Sequence, residues 1–139
     1  MTFEEYIDKR EFKYFKGYEL ARYADRWRGN VKNDLPPRSV WKNIIPTLRV
    51  ADDARERLGS PIMVTSSYRS PNYNSAVGGV AHSQHMVHTA LDLIPRHTSP
   101  QELFNVLWQM RQEGVFKGGL GLYRTFVHVD TRGRNATWG

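Results

Sequence analysis

Cysteine is absent from all 139 residues. Its absence excludes a disulfide framework, a thiolate metal site and a thiol nucleophile together, so any bound metal must be held by histidine and carboxylate. Long apolar runs are missing too: nothing approaches the roughly 18–20 residues of a membrane span. The acidic start at Phe3-Glu4-Glu5 does not read as a signal peptide, so neither a membrane anchor nor a secretory leader is expected. There is no internal repeat and no low-complexity tract. What is present suits one ordinary core: 40% apolar and 12% aromatic residues argue against disorder. Twenty Lys and Arg against 14 Asp and Glu give a net charge of +6, which favours a polyanionic neighbour such as nucleic acid, a membrane surface or an anionic wall. Charge alone does not choose among them.

Along the chain, residues 1–40 scatter aromatics among Lys, Arg and Glu and are expected to form a helical or irregular N-terminal extension to a domain at 41–139. Within it, Leu20, Tyr23, Ala24 and Trp27 follow the i, i+3, i+4, i+7 rule and predict a helix over 17–28, and Pro36-Pro37 makes 29–38 a loop. A stronger helix runs from about Ile44 to Leu58, with Pro46 near its start and Gly59 as its cap. Pro61–Ser66 reads as a strand. Residues 67–87, rich in Ser, Asn, Gly and Pro, read as a long loop, and a long loop inside a compact domain is usually functional. Thr89–Ile94 is a second strand. Ser99-Pro100-Gln101-Glu102 starts a helix that Gly114 closes, and Gly119–Tyr123 with Phe126–Asp130 forms a hairpin turning near Arg124-Thr125. The fold class expected is α+β: a small antiparallel sheet flanked by helices.

Four of the five histidines lie between positions 82 and 97, and the fifth is His128. The loop supplies His85 and the strand after it supplies Asp92, a carboxylate among Leu91, Leu93 and Ile94 that needs a partner if buried. Alternation puts Phe126, His128 and Asp130 on one face of the last strand. If the two strands are neighbours, His85, Asp92 and His128 converge as a His₂-carboxylate set, the donor pattern of a catalytic zinc site with an open fourth position. Such a zinc ion acidifies water and polarises a carbonyl, which suits amide hydrolysis. Other residues keep two readings. Arg69 is surface charge or an anion clamp. Tyr68 and Tyr73 are stacking platforms or core aromatics. His88 is a ligand, a partner to a ligand or a surface residue. His82 and His97 read as solvated, and Gly78-Gly79, lacking the lysine of a phosphate loop, as a turn. A nucleic-acid binder would leave Asp92 and the histidines unexplained.

Several stretches carry a resemblance. Ser66-Ser67-Tyr68-Arg69-Ser70-Pro71, Asn74, Val77-Gly78-Gly79, Ser83-Gln84-His85, Ala90-Leu91-Asp92, Gly119–Tyr123 and Phe126–Gly133 with Trp138 resemble the zinc D-alanyl-D-alanine carboxypeptidase-like family, which shares the hedgehog-like fold. The resemblance spans about Trp41 to Trp138. It implies one zinc ion per chain on His85, Asp92 and His128, with Arg69 as a catalytic residue that polarises or clamps the substrate and Ser83 and Tyr68 helping to bind it. It further implies hydrolysis of peptide bonds in the peptidoglycan stem peptide, by a monomer with no nucleic-acid or membrane partner; where the protein acts stays open, a phage or prophage lysis factor or a virion part being the options without a signal peptide. The alternative is a non-catalytic wall-binding or phage structural module on the same fold. Two positions depart from the family pattern: His88 stands where a glycine is expected, and Thr125 where better-known members carry an acid. Asp130 is then the general base, an acceptor that orients a ligand histidine, or a purely structural residue.

Overall fold

The computed structural model describes residues 1–139. Its centre is a five-stranded sheet in the order β3-β4-β6-β5-β7, built from Ile62–Ser66 (β3), Ala90–Pro95 (β4), Gly119–Leu122 (β5), Val127–Asp130 (β6) and Ala136–Trp138 (β7). Four of these strands run antiparallel, and β7 joins β5 in parallel at the edge. A two-stranded ribbon, Trp27–Arg28 (β1) with Val31–Lys32 (β2), precedes them. The α+β class and the small sheet flanked by helices are as expected, with one parallel edge added.

Two helices cover one face of the sheet. Ile45–Leu58 (α3) follows a 3₁₀ segment at Arg38–Ile44, has Pro46 in its first turn, and ends at Gly59, whose φ of 70° needs no Cβ penalty. Pro100–Gln112 (α5) is capped by Ser99, whose side chain accepts the Glu102 N–H at 3.2 Å. Leu48 and Ala51 of α3, Leu103, Leu107 and Met110 of α5, and Leu91, Leu93, Val127, Val129 and Leu120 of the sheet share one core. Residues 1–40 belong to the same core: Phe3 and Ile7 on α1 (Phe3–Asp8), Phe12, Phe15, Leu20 on α2 (Tyr18–Ala21), and Tyr23 are buried in it. Asp52 of α3 accepts the backbone N–H of Lys13 and Tyr14 and ties this segment down.

The single helix expected over 17–28 is not formed. The chain makes α2, a 3₁₀ turn at Arg22–Asp25, and then the β1–β2 ribbon. Gly29, at φ 61°, allows the tight reversal that a continuing helix could not make, and it leaves Trp27 61% exposed. The long polar loop also contains a helix, Pro71–Ala76 (α4), whose cap Ser70 and first residue Pro71 follow the same rule as Ser99-Pro100.

Candidate metal centre

Pairing of β4 with β6 sets Asp92 opposite His128, and both side chains leave the sheet on the face turned away from the helices. The loop before β4 brings in His85. Its backbone is closed by a ladder of local bonds: Ser83 Oγ accepts the His85 N–H, Arg69 N–H donates to the His85 carbonyl, and Thr89 N–H and Oγ1 reach Gln84. His85 Nε2 lies 3.3 Å from Asp92 Oδ1, and His128 Nδ1 lies 3.2 Å from the same oxygen. One donor atom from each residue falls within 4.8 Å of the others, and all three residues are buried.

Donor distances fit zinc. Ligand bonds of about 2.0–2.1 Å in a tetrahedron place neighbouring donor atoms about 3.3–3.4 Å apart. The remaining ring nitrogens are already committed. His85 Nδ1 donates to the Ser67 carbonyl at 2.6 Å, and His128 Nε2 donates to Asp130 Oδ2 at 2.7 Å. Each bond leaves the other nitrogen, the one facing Asp92, with a free lone pair. Burial by itself would raise the Asp92 carboxyl, but the charge and hydrogen bonds of His85 and His128 outweigh it and hold Asp92 well below the usual carboxylate range. His128 is lowered by burial and raised more strongly by Asp130 and Asp92, for a net upward shift in the metal-free protein.

These groups floor a cavity of about 590 Å³, whose walls include Arg69, His82, Ser83, Tyr123, Arg132 and Trp138. Arg69 reaches Asp92 Oδ2 at 3.5 Å with one guanidinium nitrogen and Asn74 Oδ1 at 3.2 Å with another. Asn74 in turn donates to the Val80 carbonyl, and a Cβ on Gly79 would collide with the Asn74 side chain, so the Gly78-Gly79 turn serves to let that amide through. A larger cleft of about 810 Å³ lies between β2 and α4, lined by Asn30, Lys32, Asp34 and residues of α4, and it holds no donor set for a metal.

Three residues sit differently from expectation. Tyr68, expected to bind substrate, is buried outside the cavity with its ring edge-on to His88, 5.9 Å between centroids. His88 is neither ligand nor surface residue: it is fully buried, donates from Nδ1 to the Val40 carbonyl at 2.9 Å, and packs on Phe3. Its φ of 64° lies in the left-handed region, which explains why a glycine would suit the position and marks His88 as strained there. Asp130 stands behind His128 rather than in the cavity, with Oδ1 accepting from Gly119 N–H, Arg132 N–H and Arg132 Nε and Oδ2 from His128 and Arg132 Nη2. Thr125 is exposed in the β5–β6 turn.

Asn33, the cavity-lining Tyr123 and Arg132, and the packing of residues 1–40 into the core carry no local signal in the sequence. Asn33 is buried and grips the segment before α4 from both sides: its amide donates to the Tyr68 carbonyl and its oxygen accepts the Ser70 N–H, so Arg69 is held between two anchored neighbours. A lone Asn before Pro36-Pro37 gives no local sign of this. No curated protein matches the chain. Among protein families, the one described as Peptidase M15 matches residues 13–130.

Proposed function

Since the chain belongs to the Peptidase M15 family, whose members are zinc-dependent, we propose that it is a zinc metallopeptidase that hydrolyses peptide bonds in the stem peptide of peptidoglycan, with one ion held by His85, Asp92 and His128. The observation that carries this reading is the trio itself: three donor atoms within 4.8 Å of one another, the outer ring nitrogens committed, at the floor of an open cavity. A zinc ion bound by such a set supplies an acidified water and a polarised carbonyl.

The chain's own residues supply the rest. Arg69 presents a guanidinium whose position is fixed by Asp92 and Asn74, and it suits a substrate carboxylate or a carbonyl oxygen that gains charge. Ser83 Oγ accepts from His85 N–H, which leaves its hydroxyl proton for the substrate. Asp130, with both oxygens engaged and burial outweighed by its donors, is held well below the usual carboxylate range and orients His128. Asp92 is then the only carboxylate lining the cavity, and His82 the only imidazole there outside the trio. The net charge of +6 draws the protein to an anionic wall. No helix is long and apolar enough to cross a membrane.

Mass spectrometry of muropeptides digested with zinc-loaded protein tests the reading. Products lighter by one terminal D-Ala indicate carboxypeptidase action, and split cross-links indicate endopeptidase action. Unchanged muropeptides in the presence of a fully zinc-loaded protein would overturn it in favour of a wall-binding module.

A further inference from the structure

Strand β5 is Gly-Leu-Gly-Leu, and its glycines face the site. Gly121 is paired with His128 on one side and with Trp138 on the other. A Cβ on Gly121 would collide with the indole of Trp138, and one on Gly119 would collide first with the Asp130 carboxylate and the Arg132 guanidinium and then reach the indole's outer edge at 3.0 Å. The bare strand is therefore a trough in which the indole lies, and from it Trp138 leans on His128 with 5.0 Å between ring centroids. Arg132, ion-paired to Asp130, covers the indole at 5.3 Å.

From that seat Trp138 Nε1 points at Tyr123 and meets its hydroxyl at 2.9 Å. An indole N–H can only donate, so the tyrosine oxygen is the acceptor and its own proton is left for another group. The ring is held as well: Tyr123 stacks on Phe126 with 4.3 Å between centroids and 7° between planes. Tyr123 is 42% exposed, and what it is exposed to includes the cavity over His85, Asp92 and His128. A neutral donor with its ring stacked, its oxygen pinned and its proton uncommitted is a preorganised hydrogen-bond donor.

We propose that Tyr123 is a catalytic residue that donates a hydrogen bond to the scissile carbonyl oxygen as it gains negative charge, and that Trp138 is the positioning residue that aims it. The inference rests on the peptidase reading above. The bond strengthens as the carbonyl becomes tetrahedral, so it acts on the rate more than on substrate binding. No proton is transferred by Tyr123 in this role. The bare Gly121 is thereby explained as the space needed to bring an indole between the metal ligand and the tyrosine, while Gly119 makes room chiefly for the Asp130–Arg132 pair.

The test compares wild type, Tyr123→Phe and Trp138→Phe, all zinc-loaded, on a pentapeptide muropeptide, with calorimetric affinity for a peptide phosphinate that mimics the tetrahedral state. For Tyr123→Phe the expected result is a fall in kcat of about 10²–10³-fold, the loss typical of one oxyanion donor, with KM little changed. Phosphinate affinity should weaken with kcat, and zinc should stay at one per chain. Trp138→Phe, which keeps a ring against His128 but frees the tyrosine, should lose roughly 10-fold in kcat with KM again preserved. An unchanged kcat in Tyr123→Phe, a rise confined to KM, or a loss that follows lost zinc would each overturn the inference while leaving the peptidase reading intact. A wild type that cleaves no muropeptide would overturn both.

Discussion

The two faces of the β4–β6 pair are made from alternating residues of the same backbone, and they are held in place by different physics. Leu91, Leu93, Val127 and Val129 point to the helices and are fully buried among α3 and α5. Asp92, His128 and Asp130 point the other way and are almost as buried, yet each is surrounded by donors and acceptors rather than by methyl groups. The apolar face stabilises in proportion to area, about 1.5–3 kcal/mol for each large side chain buried. The polar face stabilises only while every member keeps its partner, because a buried charge left alone costs several kcal/mol. A rigid apolar face can thus hold costly polar groups at fixed distances, which is what a metal site requires.

Substitutions at neighbouring positions of one strand separate the two faces most strongly. Asp92→Ala should abolish stoichiometric zinc and hydrolysis, since it removes the oxygen both histidines face; metal analysis and muropeptide turnover measure this. Leu93→Ala, one residue away, should destabilise by about 2–5 kcal/mol through lost burial and a cavity, seen in denaturant unfolding, yet bind one zinc per chain while folded. A folded Leu93→Ala protein without zinc would show that the two faces are not separable.

The next effect is about 3 kcal/mol and comes from His88, the histidine that belongs to the apolar side. Burial pushes it down from 6.5 to about 4. A lowered imidazole pKa means that the unfolded chain takes up its proton first as pH falls. The stabilisation of neutral His88 is therefore complete above about pH 6.5 and is lost at about 1.4 kcal/mol per unit down to about pH 4. His128, shifted upward in the metal-free protein, works in the opposite sense: its contribution is complete below pH 6.5 and is lost as pH rises through its folded value. Asp92 and Asp130, shifted downward, lose theirs only below the ordinary carboxylate range. Urea unfolding of the chelator-treated protein between pH 6.5 and 4 should show the His88 slope, and His88→Asn, which tolerates the left-handed backbone and does not titrate, should flatten it. Equal slopes in the two proteins would remove His88 as the cause.

These effects divide along the line between what local sequence pattern reveals and what it hides. Alternation placed Leu91 and Leu93 opposite Asp92, and His128 beside Asp130 on one face, because a strand's period is a local property. The capped start at Ser99-Pro100 and the end at Gly59 were equally readable. Hidden were the contacts made across the chain. Trp27 fitted a helical stripe, but Gly29 turned it into an exposed ribbon. Asn33 gripping Tyr68 and Ser70, His88 buried against Phe3 and Val40, and β7 added beside β5 all join residues far apart in sequence. No local periodicity carries such pairings. The metal trio was legible because its members announce themselves by residue type; the groups that hold it are ordinary Asn, Gly, Trp and Arg.

The smallest effect expected, and the one that separates the two readings of Asp130, is that of Asp130→Asn. A general base must face the cavity with a free lone pair and must be able to give the proton back to the leaving amine. Asp130 does neither: it is fully buried behind His128, and five hydrogen bonds from Gly119, His128 and Arg132 converge on its two oxygens. Its position instead fixes the His128 tautomer, so that Nδ1 faces Asp92 with its lone pair free. Replacing one oxygen by an amide nitrogen places a donor against the donors of Arg132 or His128, and the histidine loses its orientation rather than its place. Zinc affinity should fall about 10–100-fold, measured by competition with a chelator, and hydrolysis should return as zinc is raised to saturation. A mutant with wild-type zinc affinity whose kcat stays depressed by about 10²-fold at saturating zinc would instead make Asp130 the base. That result would require Arg132 to release it and His128 to swing aside during turnover, a motion that the ion pair at 2.8 Å opposes.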